Sequence, residues 1–157
     1  MFFYKNNLRP MTLNLKPNPM QIAIEEAKKA SKQGEIPVGA VVVHNGKVIA
    51  KSGNKTEKLK DPTAHAEMVV IREACKKLGE ARITECDLYV TLEPCPMCAT
   101  AISFARIRRL YYGAADSKGG GAFLFNQPTC HHRPEIYNGI AETECGSLLK
   151  EFFLDKR

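Results

Sequence analysis

Two short stretches constrain this chain more than any other feature of its sequence: residues 61–67, which read DPTAHAE, and residues 94–98, which read PCPMC. They carry three good zinc ligands, His65, Cys95 and Cys98. One imidazole nitrogen and two thiolate sulfurs suit a borderline ion such as zinc. Three protein ligands leave the fourth tetrahedral position open for water, which is the pattern of a catalytic site. The sequence therefore predicts one catalytic zinc ion per chain, held between the two stretches.

Glu67 follows His65 by two residues and is predicted to be a non-ligating acid and base. Zinc lowers the pKa of a bound water to about 7, so hydroxide is available near neutrality. A hydroxide held in this way is a nucleophile for hydrolysis, and Glu67 is placed to shuttle the protons of such a reaction. The alternative is a zinc ion that only holds the fold, although structural sites are usually closed by four protein ligands.

The length of 157 residues favours one domain. We expect residues 1–17 to form a flexible N-terminal extension and residues 18–157 to form a single zinc-dependent domain. No apolar run approaches the length of a membrane span, and the first residues are too few for a secretory signal, so a cytoplasmic protein with reduced thiols is expected. The net charge of +6 is compatible with a polyanionic partner.

Strand and helix patterns alternate along the chain, which predicts a three-layer α/β/α sandwich with a central mixed sheet of about five strands and helices on both faces. Asn18 and Pro19 are predicted to cap and open the first helix, and Asn45-Gly46 is a strong hairpin signal. The predicted strands span residues 36–43, 47–53, 88–92, 108–112 and 136–137. The predicted helices span residues 19–33, 61–78, 96–104 and 141–153, with polar or glycine-rich loops at residues 54–60 and 113–121.

The second predicted helix presents a geometric difficulty. Asp61 as cap and Pro62 at the first position would start it before His65. Residues two apart point about 200° away from each other on a regular helix. His65 and Glu67 then converge only if His65 lies in the first turn and both side chains bend around one end of the helix.

Four cysteines lie outside the zinc motif. Cys75 and Cys145 fall on apolar helix stripes, which predicts buried core residues, and Cys86 is ambiguous. Cys130, with the adjacent His131 and His132, could form a second metal cluster, but the spacing fits no common site.

The H-x-E and P-C-x-x-C pattern is the known signature of zinc nucleobase deaminases. The chain further resembles the bacterial tRNA-specific adenosine deaminases, over roughly residues 19–155, and the late H-R-x-E-I and L-L-x-x-F-F motifs most favour this branch. The matching stretches are residues 37–40, Asn54, residues 61–67, 89–98, 106–107 and 112–114, Asp116, Lys118, residues 132–136 and residues 148–153.

The resemblance implies a cytidine deaminase-like fold, a homodimer, and conversion of adenosine to inosine at the wobble position of a tRNA anticodon stem–loop, typically that of an arginine tRNA. It implies that Glu67 is the proton shuttle and that the base enters a pocket from a splayed, single-stranded loop. The substrate-binding residues that it implies are Asn54, Ala66, Asp116, Lys118, His132 and Arg133.

The stretch from residue 119 to 130 departs from the family pattern, because three glycines and the sequence FLF replace a leucine- and methionine-containing helix-like segment. Two other functions stay open. One is a deaminase of a free base or nucleoside, of guanine or cytosine type, with the same zinc chemistry. The other is a pseudo-deaminase that only binds, and the intact Glu67 argues against it.

Overall fold

The computed structural model describes residues 17–155, so all but the last residue of the predicted N-terminal extension lies outside the described residues. The helices are α1 (Pro19–Lys32), α2 (Thr56–Leu59), α3 (Ala66–Leu78), α4 (Pro96–Ala105), a 3-10 helix (Ala122–Asn126) and α5 (Glu142–Asp155). The strands are β1 (Gly39–His44), β2 (Lys47–Gly53), β3 (Cys86–Leu92), β4 (Arg109–Ala114) and β5 (Glu135–Tyr137).

The five strands form one mixed sheet in the order β2-β1-β3-β4-β5. β1 pairs antiparallel with both β2 and β3, whereas β3, β4 and β5 run parallel. Helices α1 and α5 pack on one face, where their apolar residues meet a stack of three tyrosines, and α3 and α4 pack on the other. The predicted three-layer sandwich with a five-stranded mixed sheet is therefore confirmed.

The start of α1 and the turn between β1 and β2 form as the sequence predicted. The Asn18 side chain accepts a hydrogen bond from the Met20 amide at 2.9 Å, which caps α1. The hairpin turn between β1 and β2 places Asn45 at φ 49° and Gly46 at φ 73°, the left-handed conformation that a two-residue turn of this kind requires. The turn pairs His44 with Lys47, and after a register shift between Val42 and Val43 the two strands pair Gly39 with Gly53.

Several predicted boundaries were wrong, and the largest error concerns the second predicted helix. α3 begins at Ala66, not at Asp61. Asp61 caps a turn instead, accepting hydrogen bonds from the amide and the hydroxyl of Thr63 at 2.8 and 2.7 Å. An Asp-Pro pair suits a tight turn as well as a helix start, and the sequence does not separate the two.

Smaller corrections concern the loops and the helix faces. β1 begins at Gly39 rather than at residue 36, and the predicted polar loop 54–60 contains α2. β4 extends to Ala114, beyond the predicted start of the glycine-rich loop, and α5 begins one residue after Ala141, which has φ 54°. The buried face of α3 consists of Ala66, Glu67, Val70, Ile71 and Ala74, so Cys75, which was predicted to be a buried core residue, is only half-buried.

The strand ends explain where the functional residues collect. β3 and β4 are parallel, so the segments after Leu92 and Ala114 leave the sheet on the same side, at the carboxyl ends of these strands. β2 ends at that edge and β1 begins there, because Gly39 pairs with Gly53. The carboxyl edge of parallel strands is the usual ligand-binding position in α/β folds.

Gly39 allows α1 to approach β1 closely. A β-carbon at residue 39 would clash with the carbonyl oxygen of Ala23 and lie 2.7 Å from the amide nitrogen of Ala27. We expect Gly39→Ala to lower the free energy of unfolding by about 2–3 kcal/mol, because backbone atoms cannot move aside as a side chain can. The expected fall in Tm is roughly 4–12 °C, measured by circular dichroism.

Gly146→Ala is the matched control, because Gly146 lies within α5 and a β-carbon there would meet nothing within 4 Å. Alanine is favoured over glycine inside a helix by about 1 kcal/mol, so the control should keep or raise the Tm. An unchanged Tm in Gly39→Ala would contradict the close approach of α1 to the sheet.

Among residues 17–155, no helix combines the length and the apolar character needed to cross a membrane.

Candidate metal centre and substrate pocket

Three metal-ligand side chains meet where two helices begin. His65 is the residue immediately before α3, and Cys95 holds the same position before α4. Cys98 follows in the first turn of α4 and is fully buried. Pro96 opens α4 with a φ that suits the first helical position, so the sequence itself places both sulfurs at this helix start.

The spacing of the ligand atoms fits a zinc ion. The His65 Nδ1 lies 3.5 Å from the Cys95 Sγ and 3.5 Å from the Cys98 Sγ, and all three ligand atoms lie within 4.8 Å of one another. Zn–S bonds of about 2.3 Å and Zn–N bonds of about 2.0–2.1 Å at a tetrahedral angle separate nitrogen and sulfur by about 3.5 Å. Within the described residues, the three predicted ligands therefore have the spacing of one face of a tetrahedron and fit a zinc site of the His-Cys-Cys type.

The acid–base character of these ligands suits metal binding. The hydrogen bond from the Cys98 thiol has the largest effect on Cys95. Together with a smaller effect of the hydrogen bond from His65, it lowers the pKa of Cys95 to about 4, although burial opposes this change. The pKa of Cys98 is raised, mainly because its thiol donates a hydrogen bond to Cys95 and secondly because the thiol is buried. The hydrogen bond to Cys95 raises the pKa of His65. One thiolate is therefore available for a cation at neutral pH before any metal binds.

Glu67 lies at the second position of α3, inside the protein and beside the metal ligands. Its side chain is buried, with the residue only 4% exposed. Burial raises the pKa of its carboxyl group to about 7, against lowering contributions from its own backbone amide and from His65. A carboxyl group with this pKa can both accept and release a proton near neutrality, which is the requirement for a general acid and base.

The corrected start of α3 removes the difficulty with His65 and Glu67. His65 has the extended dihedral angles φ −65° and ψ 154°, so it is not on the helix at all. The 200° separation of helical neighbours therefore does not apply to this pair, and both side chains reach the same site.

A pocket with a cavity volume of about 220 Å³ opens beside the metal ligands. His65, Glu67 and Cys95 line it together with Asn54 and Asp116. The remaining lining residues are Ile36, Val38, Thr56, Leu92 and Glu93. The pocket lies at the sheet edge where β2, β3 and β4 end, as the strand directions require.

The structure brings only some of the predicted substrate residues to this pocket. Asn54 and Asp116 line it, whereas Ala66 is fully buried in α3 and Lys118 is exposed on the loop after β4. The tail residues His132 and Arg133 are not among the residues that line it. The roles of all six in substrate binding stay predictions.

Hydrogen bonds hold residues 130–132 in place. The His132 ring nitrogen Nε2 lies 2.7 Å from the Ile107 carbonyl oxygen, and the Cys130 Sγ donates to the His132 carbonyl at 3.1 Å. Within the part of the chain that the structure describes, only His65, Cys95 and Cys98 have metal-ligand geometry, so nothing there supports a second metal cluster around Cys130.

Sequence reasoning missed Glu93, which holds the loop after β4 against the pocket. One carboxylate oxygen accepts from the Asp116 amide and the other from the Ala122 amide, both at 3.2 Å. A β-carbon at Gly121 would clash with the backbone of Pro96, so the glycine-rich loop packs directly on the start of α4. The position of Glu93 two residues before Cys95 was a signal that could have found it.

Comparison with known proteins places these features in one family. The model of the cytidine and deoxycytidylate deaminase zinc-binding region matches residues 14–114. The tRNA-specific adenosine deaminase of Agrobacterium fabrum is 58% identical over 142 residues, which is 88% of this chain and 93% of that protein.

Two solved structures are also similar. One, from a study of A-to-I editing by tRNA:A34 deaminases at the wobble position of transfer RNA, has a TM-score of 0.82 and 58% identity over 83% of this chain and 98% of that one. The guanine deaminase of Bacillus subtilis has a TM-score of 0.61 and 36% identity over 71% of this chain and 74% of that one.

Proposed function

The chain belongs to the tRNA-specific adenosine deaminases, a branch of the cytidine and deoxycytidylate deaminase family, and on that premise we propose that it converts adenosine to inosine at the wobble position of a tRNA anticodon. The observation that carries the proposal is the position of the buried Glu67 in one pocket with His65 and Cys95. The similarity is higher to the tRNA enzymes than to the guanine deaminase, in both identity and TM-score.

The chemistry divides between the metal and the chain. When bound, zinc lowers the pKa of a water molecule in its open position, so that a hydroxide nucleophile exists near neutral pH. Glu67 would take one proton from the attacking water and give it to a ring nitrogen of the base as the C–O bond forms. It would then take the second proton of the same oxygen and give it to the amino group, which leaves as ammonia as the C–N bond breaks. Burial of the carboxyl group raises its pKa to about 7 and so suits it to both directions of transfer.

The size of the pocket suits one base. Its volume of about 220 Å³ is below the roughly 300–1,000 Å³ of sites that hold drug-sized ligands. A base within a nucleic acid fits only if it leaves its stack, which costs least in a single-stranded loop. We therefore propose the anticodon stem–loop as the recognised element and, from the family resemblance, an arginine tRNA as its source.

The proposed contacts follow from position. Asn54 and Asp116 line the pocket and are proposed to bind the base and its neighbours, with Ala66 contributing through its backbone. Lys118 and Arg133 are exposed, and with His132 they are proposed to contact the RNA outside the pocket. The net charge of +6 supports a phosphate-rich partner.

We further propose a single deaminase domain over residues 18–157, a cytoplasmic location and a homodimer. Exposed aromatic side chains support an interface between two chains. Phe104 is 57% exposed on α4, and Phe123 is 53% exposed on the 3-10 helix that packs beside α4. A surface of this kind on the outside of one chain favours burial against a partner.

Inosine formation on an arginine-tRNA anticodon stem–loop with adenosine at the wobble position tests the function. Guanine, cytosine, adenosine and cytidine are assayed alongside, and light scattering gives the mass of the same sample. We expect turnover of the RNA only and a mass of two chains. Turnover of guanine or another free base with inert RNA would instead assign the chain to small-molecule metabolism, and a mass of one chain would contradict the dimer.

A further inference from the structure

Glu35 is a buried carboxylate to which the proposed chemistry gives no task. It lies in the loop between α1 and β1 and is only 1% exposed. Burying a carboxylate is costly unless hydrogen bonds replace its water. The partners of Glu35 therefore indicate what its burial serves.

Those partners all belong to the first turn of α2, beside the pocket. Glu35 Oε1 accepts from the Glu57 amide at 3.0 Å, and Oε2 accepts from the Lys58 amide at 2.9 Å. These are the amides that an N-cap side chain normally satisfies, and Lys55 at the cap position makes no such bond. Glu35 thus replaces the missing cap from a different part of the chain.

The third donor to Glu35 connects it with the pocket. The Thr56 hydroxyl donates to Glu35 Oε1 at 3.3 Å, and the same hydroxyl oxygen accepts from Asn54 Nδ2 at 3.1 Å. A hydroxyl group has one proton, so once that proton is given to Glu35 the oxygen can only accept. The Asn54 amide must then turn its nitrogen, and not its oxygen, towards Thr56.

Asn54 has little other freedom. Its backbone amide donates to the Val38 carbonyl at 3.0 Å, and the residue is 6% exposed in the wall of the pocket. The two edges of an asparagine amide are alike in shape but opposite in hydrogen bonding. A flip of the amide would exchange a donor for an acceptor at the surface that meets the base.

We propose that Glu35 and Thr56 are positioning residues that fix the amide orientation of Asn54, and through it the hydrogen bond that the pocket offers to the substrate base. The relay runs from Glu35 through the Thr56 hydroxyl to Asn54. The inference rests on the proposed function, because it takes the base as the ligand of the pocket. It adds Glu35, which lies outside the pocket lining, and Thr56, which belongs to it, as residues that set what Asn54 presents to the base.

Thr56→Val and Thr56→Ser form the matched pair that tests this relay. Valine keeps the shape and removes the hydroxyl, whereas serine keeps the hydroxyl. We expect Thr56→Val to lower kcat/KM on the stem–loop by about 3- to 10-fold, the worth of one ordered hydrogen bond, and Thr56→Ser to stay within about 2-fold of the wild type. Zinc content should be unchanged in both variants, and the Tm should fall only in Thr56→Val, because Glu35 there loses one of its three hydrogen-bond donors.

A double-mutant cycle separates positioning from a merely structural role. In an Asn54→Ala background there is no amide to orient, so Thr56→Val should cause no further loss under single-turnover conditions. Glu35→Gln should show the same dependence on Asn54, with an added fall in Tm because it also anchors α2. Thr56→Ala replaces Thr56→Val in the cycle if the valine variant fails to fold.

Two results would overturn the relay: wild-type activity in Thr56→Val, or the same fold-loss in the Asn54→Ala background as in the wild type. Failure of the proposed function is a separate result. If the wild-type chain deaminates a free base and not RNA, the same cycle is run on that base. The cycle then tests the relay independently of the proposed function.

Discussion

Replacing Glu67 by glutamine is expected to lower the rate of deamination by at least about 10²–10⁴-fold, the usual worth of a positioned acid and base. The residue is buried with 4% exposure, and glutamine has nearly the same shape, so packing at the start of α3 should be preserved. Glutamine cannot accept and return a proton. Single-turnover inosine formation on the stem–loop measures the loss.

The zinc content and the Tm of Glu67→Gln make the result specific. We expect one zinc ion per chain and a Tm within a few degrees of the wild type, because Glu67 is not a ligand. Glu80→Gln is the charge-matched control, since Glu80 is exposed just beyond the end of α3 and should leave the rate unchanged. Full activity in Glu67→Gln would remove this residue from the mechanism.

The sequence indicated that His65, Cys95 and Cys98 would lie together because the motifs are local. His65 with Glu67, and Cys95 with Cys98, are each separated by two or three residues, so short-range spacing determines much of their geometry. Pro96 also fixes the start of α4 from the sequence alone. The fold class followed from the alternation of strands and helices, which the sheet order then completed.

What the sequence did not reveal depends on contacts between distant residues. Asp61 and Pro62 suit a turn or a helix start, and in the structure Asp61 accepts from Thr63 in a turn while α3 begins only at Ala66. Glu35 looks like a surface glutamate in the sequence, and only the fold shows that it caps α2, more than 20 residues later. Such tertiary capping leaves no periodic or motif signal.

The pocket therefore combines two levels of organisation. Motif residues at the starts of α3 and α4 bind the metal and transfer protons. Two further carboxylates, Glu35 and Glu93, hold the segments around the pocket in place. Glu93 holds the loop after β4 by two amides, and Glu35 holds α2 in the same manner on the opposite wall. Loss of a loop carboxylate should therefore affect substrate binding and selectivity more than metal content.

Replacing Cys98 by serine is expected to remove both the metal and the activity. Serine is a poor ligand for zinc, and Cys98 is fully buried, so no other side chain of the described residues stands ready to replace it. We expect less than about a tenth of a zinc ion per chain and no detectable inosine, measured by mass spectrometry and the stem–loop assay.

Stability should fall as well, since an ion that binds only the folded chain stabilises it. At free zinc of about 10²–10³ times its Kd the effect is about 3–4 kcal/mol, or roughly 5–15 °C in Tm for a chain of this size. Cys75→Ser is the matched control, because Cys75 is half-buried on α3 away from the metal ligands and should keep its zinc. One zinc ion per chain in Cys98→Ser would contradict the ligand set.

The two variants together distinguish a catalytic zinc from a structural one. If the ion only held the fold, Cys98→Ser would be unstable, but Glu67→Gln would still be fully active. If the ion activates water, Glu67→Gln must lose activity while it keeps both the metal and the Tm. The burial of Glu67, which raises the pKa of its carboxyl group, favours the second outcome, because carboxyl groups whose pKa is shifted by burial are concentrated at functional sites.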